Sequence, residues 1–407
     1  MAILDTERIN ETWLFCHALF ICAWGMFIER TYSSSLIIVY LIGGMLTCMS
    51  LGALAQTIKN FDNDLPGKRW ILLLLLYNIV VIIRGILDCN DLWDYRMVIF
   101  VKTPYLLLPA FCFWGCNKEL LSKLFHFLLF AYALPVLCLA PRWSWQVLGV
   151  PYLYLYTFMP FMRVRWILIL IVFAIISMLG DLGARSYNIR VIMVLLLSFC
   201  YFFDAKFPNA TQKAMKIFWF VFWIFPIVSV LLATTNTFNV LEMDRYVSDV
   251  IYTNTLGEEG NLSIDTRSHL FLQVSERIKE EDALWFGLGG LGRYNIGGDF
   301  GYFDDGRGRD SCESGVLNNF MYGGLICVFG FSLLYWIASW LAVFRSNNIL
   351  CRTVGLFLIF RWDISFLDDP VPWWIGNIMT FLIIGFCCSP VIRGESMIEL
   401  KKWLKSI

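Results

Sequence analysis

Residues Val316 to Phe344 read VLNNFMYGGLICVFGFSLLYWIASWLAVF, 29 residues without a charge, and this stretch decides the fold. About 20 consecutive apolar residues cross a bilayer as a helix, because the hydrocarbon layer is about 30 Å thick. Apolar runs recur at Trp70 to Tyr77 and at Trp166 to Leu179. The chain as a whole is 58% hydrophobic and 17% aromatic, with only 16% charged residues, and its mean hydropathy is +0.65. Soluble domains carry about 25% charged residues, so this chain has too little polar surface to stay in water. The expectation is an all-α, polytopic integral membrane protein. A β-barrel is excluded because the apolar runs are continuous and do not alternate. The first run, 12–28, follows an acidic start without a basic leader or small-residue cleavage site, and reads as a spanning helix rather than a cleaved signal.

Working outward by hydropathy, about twelve spans fall near 12–28, 34–56, 70–87, 97–116, 123–140, 145–162, 165–182, 188–203, 216–233, 314–344, 349–362 and 371–392. One long polar gap interrupts them at 234–313, where glycine and acidic residues replace the apolar pattern. The domains expected are therefore an N-terminal membrane bundle over 1–233, a large extramembrane loop over 234–313, and a C-terminal membrane bundle with its tail over 314–407. Lys and Arg concentrate in one set of short loops, from Lys59, Lys68 and Arg69 through Arg163 and Arg165 to Arg345 and Arg352, and in the tail at Lys401, Lys402 and Lys405. The positive-inside rule then places both termini in the cytoplasm and the large loop on the opposite, periplasmic side. The position of this loop, after nine spans, argues against two equivalent transporter halves.

Within the loop, Asp265 to Phe286 reads as an amphipathic helix. Leu270, Phe271, Val274 and Ile278 recur at helical spacing, opposite Arg277, Lys279, Glu280 and Glu281. Asp265 is the expected N-cap, which places Arg267 and His269 in or near the first turn. Backbone N–H groups at such a terminus attract an anion, and an arginine there strengthens the site; alternatively Arg267 pairs with Asp265 or Glu242. Gly287-Leu-Gly-Gly-Leu-Gly292 follows. It lacks the Lys-Ser/Thr of a phosphate loop and follows a helix, so a nucleotide-binding reading fails. Asp299, Asp304, Asp305 and Asp310 lack the spacing of a calcium loop.

The loop exits through Asp310-Ser-Cys-Glu313-Ser-Gly315. Glu313 there is either a proton acceptor for a sugar hydroxyl or a favourable acid at a helix N-terminus. Between the seventh and eighth spans, Gly180-Asp-Leu-Gly-Ala-Arg185-Ser-Tyr-Asn-Ile-Arg190 sets two arginines among small residues on the loop side. A guanidinium chelates phosphate oxygens in a fork; the alternative is that both snorkel to the interface or pair with Asp181. Arg84 and Lys102 are ionisable groups sunk in spans and therefore candidates, unless Asp88 neutralises them. Most of the 13 cysteines sit in apolar spans. Cys89 and Cys312 alone fall on the loop side, where a disulfide is chemically permitted.

These features together resemble the O-antigen polymerase and O-antigen ligase superfamily. The resemblance rests on the twelve-span topology with its long loop after the ninth span, on the Gly-Ala-Arg185-Ser segment, and on Arg267 opening the loop helix. It rests also on the glycine-rich turn after Leu284-Trp285-Phe286, and on the loop exit running into Leu317 and Gly323-Gly324-Leu325. It implies a membrane glycosyltransferase acting on undecaprenyl-diphosphate-linked glycans, with no cofactor, metal or nucleic acid. Carried over, Arg185 and Arg267 grip the lipid diphosphate, with Arg190, His269, Arg84 and Lys102 as further substrate-binding candidates. Arg267 and Glu313 are the expected catalytic residues. Ligases carry a histidine where Glu313 stands, which favours a polymerase and leaves His269 as a substitute base. Tyr294, Phe300, Tyr302 and Phe303 are candidates to stack on sugars. A chain-length regulator is an expected protein partner and the bacterial inner membrane the expected location. The rival readings are a ligase that caps lipid A–core and a flippase or transporter.

Overall fold

A computed structural model describes residues 36–59, 65–140, 145–180, 185–234, 251–253, 259–261, 268–294, 308–367 and 375–407. The predicted span 12–28 lies outside these residues, as do Asp181, Asp265, Arg267, Asp299, Phe300, Tyr302, Phe303, Asp304 and Asp305. What is described is overwhelmingly helical. In order come α1 (Leu36–Lys59), α2 (Lys68–Leu87), α3 (Leu92–Cys116), α4 (Lys118–Leu139), α5 (Trp145–Phe158), α6 (Val164–Gly180), α7 (Arg185–Lys206) and α8 (Pro208–Thr234). A hairpin of β1 (Ile251–Thr253) and β2 (Glu259–Asn261) and the loop helix α9 (Ser268–Glu280) precede α10 (Gly315–Phe344). The chain ends with α11 (Ile349–Ile364), α12 (Ile375–Cys388), α13 (Pro390–Gly394) and α14 (Met397–Ser406).

Five of the described helices, α2, α3, α4, α7 and α10, are long and apolar enough to cross a membrane. Their outer faces carry exposed Leu, Ile, Val and Phe, as on α2 at Leu73, Leu76, Val80 and Ile83, which is the surface a lipid-facing helix needs. The centre is made differently. The segment predicted as the span 371–392 contributes the 14-residue α12, buried along its whole length, and α11 is equally enclosed. Helices apolar on every side are stable only when protein or lipid surrounds them.

The closest packing occurs where side chains vanish. A Cβ on Gly115 would lie 1.8 Å from the Leu382 carbonyl oxygen, and one on Gly385 would lie 1.9 Å from that of Cys112. Small residues let helix backbones approach in a bilayer, where dispersion rather than the hydrophobic effect drives association. Helix α3 is irregular for a local reason. Pro104 and Pro109 cannot donate a backbone N–H, and the helix widens into a π turn at Met97–Lys102 and tightens into 3-10 turns at Leu108–Cys116.

The loop helix is shorter than its amphipathic pattern predicts. It buries Val274 and Ile278 as expected, but stops at Glu280 rather than Phe286. Asp282 turns left-handed at φ 49°. The amides of Asp282 and Ala283 then donate back to Lys279 and Ile278, the bond pattern of a Schellman cap. This stop frees the residues after Ala283 to do something other than continue a helix.

Candidate functional site

Helix α10 is broken. Gly323 and Gly324 leave helical geometry, with Gly324 at φ 62°, ψ −161°, a conformation open only to glycine. A break of this kind strips the next amides of their acceptors. The glycine-rich stretch of the loop supplies the replacements. Leu325 N–H donates to Leu284 O (3.0 Å) and Ile326 N–H to Trp285 O (3.4 Å). In return, the Met321 and Tyr322 carbonyls accept from the amides of Leu288 (2.7 Å) and Gly289 (3.0 Å). Gly290 N–H reaches Val81 O on α2 at 3.0 Å, and Tyr77 donates its hydroxyl to Gly323 O at 2.6 Å. Non-helical backbone at membrane depth survives only where protein satisfies it. Here residues 284–290 act as a splint between α2 and α10. The glycines are needed for contact: a Cβ on Gly287 would lie 2.4 Å from Gly324 N, and one on Gly85 would lie 2.7 Å from Gly290 Cα.

Three cations fasten the described parts of the loop to the bundle. Arg84 donates from Nη1 to Phe286 O (2.8 Å) and from Nη2 to Gly287 O (3.0 Å). Arg293 pairs with Asp94 at 2.6 Å, at the start of α3, where Asp91 caps the helix. Lys102 is buried in α3 and donates to Asp310 O and to the Tyr322 hydroxyl, each at 2.7 Å, with the Asp310 carboxylate at 3.5 Å. Burial alone would push the Asp310 carboxyl up, but the Lys102 ammonium and the Ser311 hydroxyl hold it below the ordinary carboxylate range. Lys102 is thus partnered by Asp310, not Asp88. Arg84 and Lys102, read in sequence as substrate ligands, are spent on holding the loop. Sequence reasoning missed Asp94, Arg293 and Tyr322, because their partners lie some 200 residues away in the chain.

The other predicted residues divide. Arg185 opens α7, half-buried, on the first turn of that helix. Arg190, one turn on, is buried and donates to the Ser186 carbonyl (3.0 Å) and hydroxyl (3.3 Å); it stiffens the turn that carries Arg185. His269 lies in the first turn of α9, two residues after Arg267 in the sequence. Glu313 stands one residue before Ser314, which caps α10 by accepting from Leu317 N–H. Ser314 also donates to Ser365 O, and Val316 N–H donates to the same oxygen, so the end of α11 fixes the loop exit. Cys89 and Cys312 are free thiols. Cys312 is buried against Ser314 O and Asn318, and burial pushes its thiol up to about 11. Tyr294 is fully buried in a backbone bridge to Arg309 and is therefore not placed to stack on a sugar.

Below the splint lies an apolar groove of about 670 Å³. Pro226, Ile227 and Leu231 of α8 form one wall and Leu325, Ile326 and Phe329 of α10 the other, with Trp285 of the splint at its loop end. From Leu325 to Phe344, α10 has 20 residues, about 30 Å of helix and the thickness of the hydrocarbon layer. The break in α10, the splint and Trp285 lie at the loop end of this length, and the groove runs down from them. Trp362, held by a bond from its indole N–H to Ser332 Oγ (2.9 Å), separates the groove from a second chamber of about 20 Å³ whose mainly apolar lining includes the polar groups of Tyr105, Asn319, Ser365 and Asn377. That volume suits a single water.

No protein-family model matches this chain, and neither a curated protein nor a solved structure matches it.

Proposed function

We propose that this protein is a membrane glycosyltransferase that polymerises O-antigen or a related surface polysaccharide. The growing glycan is carried on undecaprenyl diphosphate. The acceptor is a sugar hydroxyl of a new lipid-linked repeat unit. The new glycosidic bond forms as the bond to the diphosphate breaks, and the hydroxyl proton passes to Glu313 or His269. Arg185 and Arg267 stabilise the departing diphosphate, an electrostatic contribution to the transition state. The observation that carries this reading is the apolar groove opening between α8 and α10 directly beneath a loop welded into the bundle. A lipid-linked substrate needs such a pairing, a hydrocarbon slot ending at the boundary where polar chemistry begins.

Deleting the gene tests the reaction. Lipopolysaccharide capped with a single repeat unit is the expected result, because a separate ligase still transfers that unit. Complete loss of the cap with long chains accumulating on the lipid carrier would assign the ligase reaction instead. Complete loss without long chains would point to a flippase.

The reading also requires the large loop in the periplasm and both termini in the cytoplasm of the inner membrane. Alkaline phosphatase fused at Gly257 should be active and the same fusion at Ser406 inactive. The reverse pattern would overturn the topology.

A further inference from the structure

The four α10 backbone groups bound by the splint are the four that a continuous helix would bind to one another. Without the break, Leu325 N–H would donate to Met321 O and Ile326 N–H to Tyr322 O, each four residues back. In the structure the same two amides donate to Leu284 and Trp285, and the same two carbonyls accept from Leu288 and Gly289. Helix α10 therefore has two complete sets of partners, itself or the splint. Gly323 and Gly324 are the residues that make both accessible, since glycine adopts helical and left-handed backbone alike. On the splint, Leu284, Trp285 and Phe286 are 46%, 60% and 58% exposed.

We propose that residues 284–290 are a gate on the apolar groove. Seated, the segment breaks α10 and sets Trp285 across the loop end of the groove. Released, it lets α10 close into one continuous helix and opens that end to the extramembrane loop. The seated form is the ground state, because release also gives up the two Arg84 bonds, the Tyr77 bond and the bond from Gly290 to Val81. Two discrete packings of this kind are what a switch requires. Helix α9 joins the gate through the short turn at 281–283. That the groove takes a lipid chain rests on the proposed function; the two-state helix does not.

Amide hydrogen exchange of the full-length protein in nanodiscs, read residue by residue, separates a gate from a fixed brace. In a gate, Leu288 and Gly289 lose their acceptors on opening, while Leu325 and Ile326 regain helical ones. The first pair should exchange about tenfold faster than the second, or more. Equal rates for all four amides would mean that the brace opens as one unit, and would overturn the proposal. Gly324→Ala provides a second test. Its Cβ would sit 2.4 Å from the Trp285 carbonyl carbon and oxygen in the seated form, whereas a continuous helix accepts alanine. Leu288 and Gly289 should lose protection while the amides of α10 keep theirs. Retained protection at Leu288 and Gly289, or its loss along α10 as well, would overturn the gate. Neither readout uses glycan synthesis, so failure of the proposed reaction would leave this test standing.

Discussion

Lys102→Met should destabilise the folded protein by about 3 kcal/mol, the lower end of the 3–5 kcal/mol range for breaking a buried ion pair from one side. The lower end applies because Asp310 keeps 24% of its side chain in solvent, against 2% for Lys102. The loss is not chiefly that of an attraction. Methionine fills the space, but it leaves the Asp310 carboxylate without its counter-charge and takes a donor from both Asp310 O and the Tyr322 hydroxyl. The hydroxyl of Tyr322 still donates to Asp310 O at 2.8 Å, so part of the cluster survives. Denaturant unfolding in detergent measures the change, and a loss under about 1 kcal/mol would show that water replaces the ammonium.

The same pair carries a pH signature. Because the folded Asp310 carboxyl is held below its ordinary range, its stabilising contribution is complete above the unfolded value, about 3.9. It is lost as pH falls through the lower folded value. Wild-type protein should therefore weaken on acidification below about pH 4, and Lys102→Met should show less of that dependence.

How much of this was legible follows from what each feature depends on. The resumption of helix after Ser314, the amphipathic face of α9 and the membrane class all arise from local pattern, and among the described residues the structure has a helix from Gly315, Val274 and Ile278 buried on α9, and five helices long and apolar enough to cross a membrane. The purpose of Gly287 to Gly292 was not legible. Those glycines exist for another pair, Gly323 and Gly324, and only tertiary contact shows that one glycine segment repairs the break made by the other. Lys102, sunk in a span, reads from sequence as a substrate-binding candidate unless Asp88 neutralises it. Its partner could not be named, since Asp88 is near in sequence and Asp310 is far. A sunk cation signals a paired group, and the pairing here turns out to be architectural.

On the proposed function, Arg185 and Arg267 are the cations that grip the diphosphate. Arg185→Ala and Arg267→Ala should each reduce long-chain glycan synthesis by about one to two decades at unchanged protein abundance. The loss of a charge-assisted hydrogen bond is worth about 1.5–3 kcal/mol, and each 1.36 kcal/mol in the transition state is about tenfold in rate. Lysine should rescue poorly at either site, because a compact ammonium cannot reproduce a planar two-pronged contact. Arg190 gives an internal control. Two of its donors go to Ser186 in its own helical turn, so Arg190→Ala removes a support for the turn that carries Arg185. The cost should be about 1 kcal/mol, less than tenfold. Near-normal chain length in both the Arg185 and Arg267 alanine variants would remove diphosphate gripping from the mechanism. An Arg190→Ala loss as deep as that of Arg185→Ala would mean that Arg190 leaves Ser186 to meet the substrate itself.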